Sequence, residues 1–303
     1  MRFALIALAM ALAGCGVEDA AIPENAASAA EQEVILVTGS TAGLGRELAL
    51  RLASTGAHVI VHGRDEARAM EVVAAIEAEG SGSAEYHLAD FASLAEVQAL
   101  AHRIREDYPR IDVLVNNAGV GPGAPGHERV VTQDGHELRF QVNYLAGYLL
   151  TRSLLPLLRQ GAPARIVNVT SRNQQPLDFG DLRMDREYSG GLAYGRSKLA
   201  QILFTMDLAE ELEGSGVDAF AVHPAPAMDT ELVRETGGQP QTPVSEGVEA
   251  VYRVVTGSGL ESGTFFFELE PARAHEQAYD PEARRQLREL SDAFVAEFSG
   301  GLR

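Results

Sequence analysis

The stretch Val34-Ile35-Leu36-Val37-Thr38-Gly39-Ser40-Thr41-Ala42-Gly43-Leu44-Gly45 decides the fold. Its first four residues are apolar and largely β-branched, and read as a short buried strand. Glycines 39, 43 and 45 then break the run, and helical spacing takes over from about 44 to 54. A strand that turns through glycines into a helix presents backbone N–H groups at a helix N-terminus, where a phosphate is favoured. Gly39 suits the tight turn, and Gly43 and Gly45 permit close approach of a pyrophosphate. Ser40, Thr41 and Leu44 belong to the same turn. A plain strand-to-helix turn would also use glycine, but the place of this one, after the first strand and at the mouth of the first helix, favours phosphate binding.

Outward from this point the alternation continues. Strands are predicted at 58–61, 84–88, 111–115, 165–169, 217–222 and 264–267, with helices at 66–79, 94–107, 135–158 and 192–212. Strands alternating with helices predict an α/β fold, a doubly wound parallel sheet of Rossmann-like type, in one domain over 33–303. With 303 residues the chain can bury a large core. Hydrophobic residues make up 46% and charged residues 22%, an ordinary globular balance. The formal net charge of −18 argues against a nucleic-acid partner, whose phosphates need a basic surface. The eight histidines are scattered. His58 and His62 share one face of the second strand without acidic or thiol companions, so no metal site is expected.

The N-terminus reads differently. Met1-Arg2 precedes the apolar run Phe3 to Ala13, then Gly14-Cys15, the only cysteine. One positive charge, a short apolar core and small residues describe a secretory signal. Leu12-Ala13-Gly14-Cys15 resembles the lipobox of bacterial lipoproteins, which implies lipidation at Cys15 and anchorage at the bacterial cell envelope. An ordinary hydrophobic leader or a misplaced start codon is the alternative reading, and the cytoplasm the alternative location. Residues 16–32 are rich in Ala and Glu without a strong period, and read as a flexible tether.

The second strand ends in His62-Gly63-Arg64. An NAD site wants an acidic residue at this tip for the ribose 2′-hydroxyl. Gly63 stands there instead, and Arg64 can pair with a 2′-phosphate, which favours NADP over NAD. Arg46 is a second candidate cation. Asp90, after the third strand, can accept a hydrogen bond from the adenine amine or cap the next helix.

Tyr194-Gly195-Arg196-Ser197-Lys198 places a phenol and an ammonium on one helical face. A nearby cation favours the phenolate, so Lys198 is expected to lower the Tyr194 pKa. Chance supplies this spacing on many helices. It gains meaning from its company: the glycine turn, Asn116-Asn117-Ala118-Gly119, Asn143 and Ser171, in that order. Together these residues resemble the short-chain dehydrogenase/reductase family over about 33–300. The runs Leu192 to Ala200 and Asn143 to Thr151, and the tail from Asp280 to Phe294, resemble its retinol-dehydrogenase-like branch.

The resemblance implies an NADP(H)-dependent oxidoreductase that interconverts a small-molecule carbonyl and its alcohol. It makes Tyr194 the general acid/base and Lys198 both its pKa modulator and a holder of the nicotinamide ribose. It has Ser171 bind the substrate oxygen and Asn143 place a water. Asn117, Ala118 and Gly119 would support the cofactor pocket, and Pro224 and Thr230 the nicotinamide side. His223-Pro224-Ala225-Pro226-Ala227-Met228-Asp229-Thr230 departs from the family's Pro-Gly, with Ala225 in place of glycine and Thr230 one residue farther on. The substrate lining is expected from 172–191, with Pro176, Leu177, Phe179 and Tyr188, and from 225–243, which suits a hydrophobic aldehyde, ketone or alcohol. The competing reading is a non-catalytic NADP-binding or interaction protein on the same scaffold. Association of identical copies is compatible with either.

Overall fold

The computed structural model describes residues 32–298 apart from Pro125 and His127. The signal expected over 1–15, with Cys15, and residues 16–31 of the expected tether lie outside the described residues. The decisive stretch folds as Val34–Val37 (β1) running into Gly43–Ala53 (α1). All four β1 residues are buried, because alternate side chains feed two different cores. Val34 and Leu36 join one apolar cluster, Ile35 and Val37 the other. Cover on both faces is why this strand reads as an apolar run and not as an alternation.

The other elements follow the same logic. They are β2 (His58–Gly63), α2 (Glu66–Glu79), β3 (Ser83–Leu88), α3 (Leu94–Asp107), β4 (Val113–Asn116), α4 (Ala146–Gln160), β5 (Ala164–Val169), α5 (Gly190–Glu211) and β6 (Val217–His223), then α6 (Glu231–Glu235), α7 (Val244–Thr256), β7 (Phe265–Phe267), β8 (Glu270–Ala272) and α8 (Pro281–Val295). The sheet order is β3-β2-β1-β4-β5-β6-β7-β8. Every pairing is parallel except β7 with β8. This is the single doubly wound α/β domain that the sequence predicts. Its strand order reverses direction between β1 and β4, where such sheets open a crevice at their carboxyl ends.

Three expectations change. The helix predicted over 135–158 starts later: Phe140–Leu145 forms a π-helical segment that continues into α4. Upstream, Gly135 has φ 82° and Val131 bridges Glu137. The buried Glu137 carboxylate accepts the N–H groups of Arg139 (2.8 Å) and Phe140 (2.9 Å), which sets the start. Second, α6, α7 and β8 fall where no element was predicted. Third, the tail folds as α8, with Asp280 accepting the Glu282 N–H at 2.9 Å and Pro281 in the first turn, a strong start signal.

A buried polar ladder joins the sheet to the helices behind the crevice. The Asn116 amide donates to Asn168 Oδ1 and to Thr151 Oγ1, each at 2.9 Å. Asn168 Nδ2 donates to Thr205 Oγ1 at 2.9 Å. This fixes β4 and β5 against α4 and α5 at the level of the site. Asn168 is 2% exposed, so replacing it by Ala strands buried donors and acceptors. The Asn168→Ala variant is expected to lose about 1–3 kcal/mol of stability in urea denaturation.

Candidate active site

A cleft of about 510 Å³ opens above β1 and β4. Its floor is the glycine turn. Gly39 has φ 64°, and a Cβ there would lie 2.8 Å from Ala118 Cα, so only glycine lets the two backbones cross. Thr38 Oγ1 accepts the N–H groups of Asn117 and Ala118 at 3.0 Å each. Asn117 Nδ2 donates to the carbonyls of Thr38 (2.8 Å) and Gly39 (3.1 Å). Asn117, Ala118 and Gly119 therefore brace the turn and line the cleft beside Gly39, Thr41, Gly43, Leu44 and Gly45. Ser40 does not line it. Its hydroxyl donates to the Val37 carbonyl at 2.7 Å and accepts the His62 N–H at 3.0 Å, so it holds the turn from beneath. At the α1 N-terminus Ala42 offers no side-chain cap and the first turn has no acid. The free N–H groups there suit an anion.

The sequence reading treats His62 as an ordinary histidine. In the structure it is buried, and its Nδ1 accepts the Gly39 N–H at 3.1 Å. The other nitrogen, Nε2, therefore carries the hydrogen and donates to the Ala89 carbonyl at 3.2 Å. The ring also lies 4.5 Å from Phe91. Burial pushes its pKa down to about 4, so the neutral form that this pairing needs prevails. One imidazole thus ties the glycine turn to the tips of β2 and β3. The available signal was a histidine one residue before the tip of an otherwise apolar strand.

At the rim, a Cβ on Gly63 would collide with the Thr41 side chain, so an acidic residue does not fit at this tip without displacing it. Arg64 is 70% exposed and 3.7 Å from Asp90. Asp90 Oδ1 accepts the Ala92 N–H at 2.9 Å, while Ser93 caps α3. Arg46 pairs with Glu47 and does not line the cleft. The second rim cation is Arg68, missed from sequence, which reaches Glu231 at 3.1 Å from the opposite side.

The other end of the cleft gathers Ser171, Tyr194, Lys198 and Asn143. Ser171 follows β5 and hydrogen-bonds Tyr194. Ser189 caps α5 by accepting the Leu192 N–H at 3.2 Å, which sets the phase that turns Tyr194 and Lys198 inward. Lys198 Nζ lies 5.7 Å from the Tyr194 ring centroid. It donates to the Val169 carbonyl and to Gln201 Oε1, each at 2.9 Å. Asn143, in the π-helical segment, accepts the Val120 N–H (2.7 Å) and donates to the Val120 carbonyl (3.1 Å) and Ser197 Oγ (2.9 Å). A Cβ on Gly119 would lie 3.2 Å from Asn143 Oδ1 and 3.7 Å from Lys198 Nζ, so these two groups flank one backbone point.

The electrostatics correct one expectation. Burial pushes the Tyr194 phenol up, and only the Ser171 hydrogen bond opposes it. Lys198 does not lower it, because the lysine loses its own charge before the phenol ionises. Burial also pushes Lys198 down to about 7. Of the 25 Lys and Arg residues in the chain, 24 are arginine and Lys198 is the single lysine.

On the nicotinamide side of the resemblance, Pro224, Ala225 and Thr230 line the cleft. The strained residue is Ala227, with φ 39°, two positions beyond the missing glycine. Thr230 caps α6 by accepting the Val233 N–H at 3.4 Å. Its methyl would be 3.3 Å from a Cβ on Gly43, so it reaches across to the glycine turn. The expected substrate lining is only partly there. Arg172, Asn173 and residues 225–228 line the cleft. Leu177 is core, with its backbone held by Gln277 at 2.7 and 3.1 Å, and Phe179 packs against the same core. Tyr188 takes a hydrogen bond from Arg139 at 2.8 Å.

Known proteins resemble this chain in sequence and in fold. The family model for short chain dehydrogenase matches residues 33–241. Human retinol dehydrogenase 14 is 33% identical over 300 residues, covering 87% of this chain and 86% of its own length. Human retinol dehydrogenase 11 is 34% identical over 274 residues, covering 86% of this chain and 84% of its own. Among solved structures, the RhlG/NADP active-site complex from Pseudomonas aeruginosa superposes with a TM-score of 0.64 at 27% identity, over 78% of this chain and 94% of that one. A short chain dehydrogenase from Salmonella enterica serovar Typhi gives 0.64 at 26% identity, over 80% and 98%. With the glycine turn and the Tyr194 cluster set at the two ends of one crevice, the chain belongs to the short-chain dehydrogenase family, oxidoreductases that act on CH–OH and C=O groups.

Proposed function

We propose that this protein interconverts a hydrophobic carbonyl compound and its alcohol with NADP(H), and that Tyr194 is the group that moves the proton. The carrying observation is the single lysine, buried one helical turn from Tyr194. Arginine stays charged at any working pH, whereas a buried lysine titrates. The chain's one lysine stands where a phenol needs a titratable ammonium.

The residues present fit a dinucleotide: an uncapped helix N-terminus for the pyrophosphate, Gly63 in place of an acid, and Arg64 and Arg68 at the rim for a 2′-phosphate. When bound, the nicotinamide supplies or takes up the hydride. Tyr194 donates a proton to the carbonyl oxygen in reduction and removes it from the hydroxyl in oxidation. Its raised pKa keeps it protonated at neutral pH, the form that reduction requires. Ser171 holds the same oxygen. Lys198 gives an N–H to the cofactor ribose, and Asn143 keeps the backbone of 119–120 in place beside it. Val120, Leu138, Val142, Met228 and Leu232 line the cleft and favour an apolar substrate, which agrees with the retinol dehydrogenases named above.

Activity is tested by assaying a panel of aldehydes and ketones with NADPH and NADH. Tyr194→Phe is expected to cut turnover by about 10²–10⁴-fold while leaving NADPH affinity unchanged. Tight NADPH binding with no turnover of any carbonyl by the wild type would instead support a non-catalytic binding protein. Cofactor titrations separate the two ends of the dinucleotide site. Arg64→Ala is expected to weaken NADPH by on the order of tenfold and to spare NADH. His62→Ala should weaken both alike, since it loosens the turn that both share; equal loss of NADH with Arg64→Ala would refute the 2′-phosphate assignment.

We also propose that Cys15 anchors the protein to the bacterial cell envelope, on the strength of its lipobox-like setting. Cys15→Ala is expected to move the protein from the membrane fraction to the soluble fraction. A wild type that is soluble and retains Met1 would overturn the anchor and favour the cytoplasm.

A further inference from the structure

Gln201 sits three residues beyond Lys198, on the same face of α5, and is 3% exposed. A buried glutamine ordinarily finds backbone partners. This one accepts a hydrogen bond from an ammonium: Lys198 Nζ to Gln201 Oε1 is 2.9 Å. A second ammonium N–H goes to the Val169 carbonyl, also at 2.9 Å. That leaves one N–H for the cleft.

The helix carrying the carboxamide is itself pinned. Thr205 Oγ1 donates to the Gln201 carbonyl at 2.7 Å and accepts from Asn168 Nδ2 at 2.9 Å. Asn168 in turn accepts from Asn116 at 2.9 Å. The polar ladder behind the crevice therefore ends at the lysine. A buried cation without acceptors is costly, and a neutral amide oxygen aimed at it lowers that cost without neutralising the charge.

We propose that Gln201 is a positioning residue: its Oε1 holds the Lys198 ammonium in its charged form and turns the remaining N–H to the cofactor ribose. This rests on the oxidoreductase reading, which gives Lys198 its task. Besides these two acceptors, the groups placed beside the ammonium are the Tyr194 ring on its own helix and, across Gly119, the Asn143 side chain from the π-helical segment. None is a carboxylate. Burial alone shifts the lysine, and among the described residues its acceptors are Gln201 Oε1 and the Val169 carbonyl.

The single lysine makes the test direct. Full-length protein labelled with isotopic lysine has one side-chain signal to follow by NMR, with no assignment step. The wild-type midpoint is expected near 7. Gln201→Met removes the acceptor at similar volume, and should lower the midpoint by about one unit and weaken NADPH at neutral pH by on the order of tenfold. Gln201→Glu supplies a carboxylate and should raise the midpoint by about one unit or more. The alkaline limb of kcat/KM should move in the same opposite senses. A space-filling role would shift melting temperature in both variants but would not split the midpoints. Midpoints that stay put, or move together, in folded Met and Glu variants overturn the proposal. If the Met variant does not fold, Gln201→Asn, one methylene too short to reach, should lower the midpoint; an unmoved midpoint there also overturns it. Failure of the wild type to turn over any carbonyl sinks the oxidoreductase reading and leaves the midpoints to decide the role of Gln201.

Discussion

Everything in the site depends on the parting of β1 and β4. They run hydrogen-bonded side by side as far as Val37 and Val115, and then their chains leave for opposite faces of the sheet. One threonine holds the fork closed at its base. Thr38 Oγ1 bonds the Val115 carbonyl at 3.2 Å and takes two N–H groups from the departing segment. Above that point the backbones must cross within van der Waals contact, which makes Gly39 obligatory and brings Asn117 under the turn. The crevice is thus a consequence of topology that three short polar contacts make rigid.

The far end of the crevice is governed by desolvation. Lys198 is buried and Tyr194 half-buried, and each is driven toward its neutral form. Their pKa values move apart, Tyr194 upward and Lys198 down to about 7, so the phenol stays protonated while the lysine titrates near neutral pH.

Much of this was legible in the sequence because the parts are local. The glycine turn occupies consecutive residues, and Tyr194 and Lys198 are one helical turn apart. The order Asn143, Ser171, Tyr194 supplied the rest by resemblance. What escaped depends on distant partners. His62 acts on Gly39 and Ala89, and Arg68 on Glu231, contacts that no local pattern encodes. Gln201 is close to Lys198 in sequence, yet its meaning depends on which way the ammonium points. Desolvation, which spacing does not encode, reversed the expected shift of Tyr194. Ser40 looked like a ligand because serine in such a turn faces either way. The late start of the helix after Gly135 was hidden because the buried Glu137 carboxylate, not the glycine, begins it.

The last strand carries a consequence for how copies of this protein can meet. A sheet of eight strands ends in an edge, and an open edge is a template for another chain. Here that edge is β8, three residues long, reversed in direction, with Pro271 at its centre. Proline has no N–H to offer an incoming strand, and Glu270 beside it is exposed. Growth of the sheet stops there. Any self-association at this border must therefore be built from side chains such as Phe267 and Leu269, and cannot propagate as a continuous ribbon.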